Sequence, residues 1–125
     1  PVFRGLDKSS PEAAATAIDA MAARARAGDL QTNDLQGGSF TLSSTGGLEQ
    51  ATIISTRPII NPPQTAILWV SRIVARPRIR AGVLEAGPML ALSLSFDHRY
   101  IDGAEATYFI NDLVAFLEAP ETALR

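Results

Sequence analysis

The chain has 125 residues, 46% hydrophobic and 19% charged, an ordinary balance for one folded unit and too short for two independent domains. A formal net charge of −2 offers no bulk attraction for nucleic acid or an anionic membrane, and no apolar run approaches the roughly 20 residues that span a bilayer. The lack of cysteine excludes disulfides, thiolate zinc sites and a cysteine nucleophile, and the single histidine, His98, excludes a multi-histidine metal site.

The first residues, Val2-Phe3-Arg4-Gly5-Leu6, read like mid-domain sequence, which raises the expectation of a processed or partial chain completed by an upstream segment. Residues 9–27 read as a helix. Ser9 and Glu12 have capping-box spacing, and Ser10-Pro11 offers the alternative of an N-cap followed by proline at the first helical position. Ala14, Ile18, Met21 and Ala25 make one small-residue apolar stripe, which predicts close packing against a neighbour. Arg24, Arg26 and Gly28 supply the stop signal. A polar connection over 29–38 leads to a short strand over Ser39–Ser44, with Phe40 and Leu42 on one face and Ser39, Thr41 and Ser43 on the other. Residues 48–60 predict one irregular strand, and Asn61-Pro62-Pro63-Gln64 a rigid corner. Thr65–Val74 is apolar on both faces and belongs in the middle of a sheet. Residues 76–87 predict a hairpin turning near Ala81-Gly82, with Pro77 at an edge. Met89–Phe96 alternates leucine and phenylalanine with alanine and serine, the clearest strand. The last helix is predicted over Gly103–Glu118, burying Ala106, Phe109, Ile110, Leu113, Phe116 and Leu117, with Pro120 as its stop.

The sharpest local feature is Asp97-His98-Arg99-Tyr100-Ile101-Asp102-Gly103, between the best strand and the last helix. Residues at strand ends can point into a crevice, and the unperturbed histidine pKa suits proton transfer near neutrality. The bland alternative is a structural or surface histidine. Asp97 and Arg99 are spaced to form a local ion pair that fixes the loop. Arg72, Arg76, Arg78 and Arg80 are either a solvated hairpin or a phosphate-binding cluster. No Gly-x-Ser-x-Gly elbow or phosphate loop is present, so a serine hydrolase is a poor reading of Ser43, His98 and Asp102.

Asp97-His98-Arg99-x-x-Asp102-Gly103 resembles the Asp-His-Arg-x-x-Asp-Gly motif of the 2-oxo acid dehydrogenase acyltransferases, and its His-x-x-x-Asp-Gly part is shared with the chloramphenicol acetyltransferases. Gly37-Gly38-Ser39-Phe40-Thr41-Leu42-Ser43-Ser44 and Pro58-Ile59-Ile60-Asn61-Pro62-Pro63-Gln64-Thr65-Ala66-Ile67-Leu68 resemble two further segments of the same family, in the same order. The resemblance covers essentially the whole chain and implies an α/β fold: helices on one face of a mixed sheet, a two-layer sandwich of the coenzyme A-dependent acyltransferase type. The chain then corresponds to the C-terminal part of one catalytic domain about twice as long, without lipoyl or subunit-binding domains.

The implied activity is acyl transfer between dihydrolipoamide and coenzyme A. Coenzyme A is a substrate, the lipoyl group comes from another domain, and no metal takes part. His98 is implied as general base and Ser43 as oxyanion donor. Asp102 is implied as the third site residue, near the histidine; its own spacing to Glu105 reads as a helix N-cap worth about 1 kcal/mol. The implied assembly is a homotrimer building a larger core that binds the decarboxylase and dihydrolipoyl dehydrogenase components, in the cytoplasm or a mitochondrial matrix. In that trimer the histidine loop of one subunit meets the serine strand of its neighbour. Two other functions stay open: a catalytically incompetent assembly fragment, and a stand-alone enzyme of the chloramphenicol acetyltransferase type. Lys8 directly precedes a capped helix rather than sitting at a hairpin tip, so it is not a lipoylation site.

Overall fold

The computed structural model describes residues 1–47, 53 and 55–123. They form two compact units, Pro1–Ser39 and one beginning at Phe40. Among them no helix is long and apolar enough to cross a membrane.

The first unit is built on helix α1, Pro11–Arg26. Ser10 is its N-cap, accepting from the Ala13 N–H at 3.2 Å with Pro11 at the first helical position, so the Ser10-Pro11 alternative prevails over a cap at Ser9. At the other end Gly28, at φ +74°, takes the left-handed position; its N–H donates to Ala25 O and that of Asp29 to Arg24 O, which satisfies two terminal carbonyls. No residue of α1 is buried and Ile18 on the apolar stripe is 45% exposed, contrary to the close packing predicted from it. The polar connection is stitched by charge. Arg24 bonds Asp34 at 2.6 Å, Asp34 accepts from the Gln31 N–H at 2.8 Å, and Arg4 donates to Asn33 O and Gln36 O.

The second unit holds strands β1 (Thr41–Ser44), β2 (Ala66–Val70), β3 (Val74–Arg80), β4 (Val83–Met89) and β5 (Leu92–Phe96), then helix α2 (Gly103–Glu118) and the short turn α3 (Pro120–Ala123). β1, β2 and β5 form a mixed sheet in that order, β1 parallel and β5 antiparallel to β2. β2 is central, and Ala66, Ile67, Leu68 and Trp69 are all buried, as an apolar-on-both-faces run requires. The predicted strand over Thr65–Val74 is nevertheless two strands. It breaks at buried Ser71, whose N–H donates to Ala91 O and whose Oγ accepts from the Ala91 N–H, each at 2.9 Å, while donating to Arg72 O. The same contact splits Met89–Phe96, because Met89 closes β4 and β5 starts at Leu92. β1 is two residues shorter than Ser39–Ser44. Of the predicted strand over 48–60, residues 53 and 55–60 are not in a strand and the remainder lies outside the described residues.

β3 and β4 pair as a separate ribbon closed by Ala81 (φ 50°) and Gly82 (φ 81°). Two positive φ values in a two-residue loop are the twist-matched hairpin geometry. Pro77 pairs with Ala86 and, among the described residues, has no strand on its other side, the edge position expected of it. A Cβ at Gly87 would collide with Arg78 Nε, so glycine there lets Arg78 lie across the ribbon to reach Glu85 at 2.8 Å.

α2 has the predicted bounds and packs against β5, with Phe109 against Phe40 at a ring separation of 6.2 Å. Its predicted buried face is only partly covered: Ala106 is buried, Ile110 and Leu113 are half-buried, and Phe109, Phe116 and Leu117 are exposed. Pro120 ends α2 but opens α3, where its fixed φ suits a first helical position. The architecture is α/β with a mixed sheet.

Candidate active site

His98 follows β5 by two residues and is exposed. It occupies the corner of a tight turn organised by Asp97. The Asp97 N–H donates to Thr65 O at 2.8 Å, extending the β2–β5 pairing by one rung. The Asp97 carbonyl accepts from the N–H groups of Tyr100 (3.0 Å) and Ile101 (3.1 Å), which folds the chain back over residue 98. Its Oδ1 accepts from the Arg99 N–H at 3.0 Å, a side-chain turn that replaces a backbone one. Arg99 also grips the carboxylate through Nε and, at 2.6 Å, Nη2. The ion pair expected between these residues is therefore present. The side-chain hydrogen bond from Arg99 and then its backbone N–H hold the Asp97 carboxyl down at about 2, against an ordinary 3.8. The Phe96 ring lies 5.6 Å from that of His98.

Asp102 caps α2. Its Oδ1 accepts from the N–H groups of Ala104 (2.8 Å) and Glu105 (2.9 Å), and Glu105 reaches back to the Asp102 N–H at 3.3 Å. The capping-box spacing in the sequence is thus a capping box in the fold, and this carboxylate fastens the helix that follows the histidine turn.

Ser43 is half-buried near the C-terminal end of β1. Cross-strand pairs place it in one row with Trp69 and Ser93, and Thr41 in the next row with Ile67 and Ser95. One sheet face is therefore hydroxyl-bearing, flanking two large apolar side chains, and Ser93 on it donates to Thr56 O at 2.6 Å. The row fixes where Ser43 stands relative to His98. Ser93, level with Ser43, opens β5 after Leu92, whereas His98 lies past its other end. At about 3.3 Å per residue along the strand and about 4.8 Å across each strand, Ser43 and His98 of one chain are roughly 15–20 Å apart. One chain does not bring the two candidates together.

Arg76, Arg78 and Arg80 share one face of β3, where Arg78 is occupied by Glu85; Arg72 lies before the strand. Lys8 is exposed in a 3₁₀ turn ahead of α1. An open depression of about 290 Å³ on the ribbon, lined by Ala75, Arg76, Pro77, Leu84, Glu85 and Ala86, takes Arg76 from the arginine cluster and contains none of Ser43, His98 and Asp102. The sequence reading anticipated the Asp97–Arg99 pair but missed how fully the Asp97 backbone organises the turn. The detectable signal was an aspartate two residues before an amide it can cap.

A family profile described as the 2-oxoacid dehydrogenases acyltransferase (catalytic domain) matches residues 1–125. A curated relative from Arabidopsis thaliana, named as the dihydrolipoyllysine-residue succinyltransferase component of 2-oxoglutarate dehydrogenase complex 1, mitochondrial, is 41% identical over 124 residues, covering 99% of this chain and 26% of that one. The dihydrolipoamide acetyltransferase of Azotobacter vinelandii, solved in a study of a serine, a histidine and an asparagine in its catalytic mechanism, is 34% identical with a TM-score of 0.89. The match covers 100% of this chain and 50% of that chain. The solved cubic core of a pyruvate dehydrogenase multienzyme complex is 36% identical with a TM-score of 0.86, again over 100% and 50%. The chain thus spans about half of each of these solved chains and about a quarter of the curated relative.

Proposed function

The chain belongs to the 2-oxo acid dehydrogenase acyltransferase family, and from that membership we propose that it is the C-terminal part of a catalytic domain that transfers an acyl group between dihydrolipoamide and coenzyme A. The observation that carries the proposal is His98 on the exposed corner of a fully hydrogen-bonded turn, inside the motif by which the chain resembles this family.

A thiol with a pKa near about 8.5 is only a few per cent ionised at neutral pH. His98 takes the thiol proton as the sulfur attacks the acyl thioester carbon, help worth about 10²–10⁴ in rate. The electron pair of the carbonyl moves onto oxygen, where the Ser43 hydroxyl donates a hydrogen bond. When the carbonyl re-forms, the bond to the departing sulfur breaks and His98 returns its proton to that thiolate. Asp102 serves the reaction from the helix cap, by holding the C-terminal side of the histidine turn.

Ser43 and His98 stand at opposite ends of their own sheet, so the site is proposed to form between two copies, His98 from one and Ser43 from the next. A homotrimer repeats that contact three times and closes. The exposed apolar residues of α2 support covering by further protein. The decarboxylase and dihydrolipoyl dehydrogenase of such a complex are the proposed partners, in the cytoplasm or a mitochondrial matrix. The test is His98→Ala in the full-length enzyme. Turnover falls about 10²-fold or more with little change in thermal midpoint; near-normal turnover removes His98 as the base.

A further inference from the structure

We propose that Asp97 is a positioning residue for His98, fixing the imidazole by fastening the backbone on both sides of it; this rests on the reading of His98 as the base. Every polar group of Asp97 is used. Its N–H joins the sheet through Thr65, its carbonyl receives Tyr100 and Ile101, and its carboxylate receives the Arg99 N–H and guanidinium. His98 lies inside all of the loops closed within the turn and is the one residue between the partners of the smallest, Asp97 and Arg99. Residue 97 fastens it to β5, and residues 99–101 all fasten back to residue 97. The Phe96 ring then limits where the imidazole can swing.

Stability alone does not account for this arrangement. Arg99 is 80% exposed, and exposed ion pairs contribute little to folding. What the Arg99 clamp does accomplish is geometric. A carboxylate held on two sides by the residue after the histidine removes the freedom of the turn to open. Misplacing a catalytic group by about 1 Å costs about 10²-fold in rate, so restraint of this turn registers in turnover well before it registers in the fold.

The experiment is a double-mutant cycle in the assembled, full-length enzyme, using Asp97→Asn and, as a gentler second probe, Arg99→Gln, each with and without His98→Ala. Asp97→Asn lowers kcat about 10- to 100-fold, leaves the KM for coenzyme A within about twofold, and changes the residual turnover of His98→Ala by less than about twofold. Arg99→Gln, which leaves the Asp97 backbone untouched, lowers kcat about 3- to 10-fold with the same dependence on His98. If Asp97→Asn does not assemble, Arg99→Gln decides the question through the same cycle. Losses of equal size in the presence and absence of His98, or no loss at all, overturn the positioning role while a deep His98→Ala defect keeps the base in place. Near-normal turnover of His98→Ala overturns both.

Discussion

Placing Ser43 and His98 at opposite ends of one sheet makes complementation the most direct test of where the reaction occurs. Ser43 is level with Trp69 and Ser93 across β1, β2 and β5, and His98 lies beyond the far end of β5. The separation of roughly 15–20 Å is several times hydrogen-bond reach, and no rotamer of either side chain spans it. Suppose His98→Ala and Ser43→Ala subunits are co-expressed in equal amounts and assemble at random into trimers. Three quarters of the trimers are mixed, and each mixed trimer has one site of three in which an intact His98 faces an intact Ser43, so recovery is about a quarter of parental activity. Each variant alone is expected at about 1% or less, a loss of about 10²-fold. The recovered signal therefore stands about 25-fold above background, by coenzyme A-dependent acyl transfer to dihydrolipoamide, with subunit mixing read by intact mass of the assemblies. Verified mixing without recovery refutes the shared site, and with it the inference drawn from the strand register.

Ser43→Ala alone reduces kcat much more than it raises the KM for coenzyme A, because an oxyanion donor acts on the transition state; a pure KM effect moves Ser43 out of that role. The Asp97 carboxyl, held at about 2 against an ordinary 3.8, contributes its full stabilisation above about pH 4 and loses it as pH falls toward 2. Thermal midpoints of the parent and Asp97→Asn enzymes should therefore draw together as pH falls from about 4 through 2, and a gap as wide at pH 2 as at neutral pH excludes ionised Asp97 as its source. Gly87→Ala pushes Arg78 off Glu85, at a cost below about 1 kcal/mol for a partly exposed pair. In a Glu85→Gln background the same substitution costs less, and an unchanged cost shows that the ribbon itself is distorted.

What the sequence made legible was local, and what it concealed was pairing. α2 could be bounded from Asp102 and Glu105 at one end and Pro120 at the other, and the hairpin turn from Ala81-Gly82. Each of these depends on residues within a few positions of one another. The runs 65–74 and 89–96 each looked like one strand because their apolar pattern continues through the break. The break itself comes from Ser71 bonding Ala91, 20 residues away, which no periodicity reports. The α1 stripe and the exposed part of the α2 face show the complementary limit: a pattern states that a face favours burial, without saying what lies against it. The candidate site divides along the same line. The Asp97–Arg99 fork, the histidine corner and the Asp102 cap follow from spacing within one short segment. The distance between Ser43 and His98 depends on strand order and direction. A parallel β1 and an antiparallel β5 on either side of β2 send the C-terminal ends of the two strands to opposite ends of the sheet. Within this mixed sheet, a chemistry that needs both residues has to recruit the second from another copy.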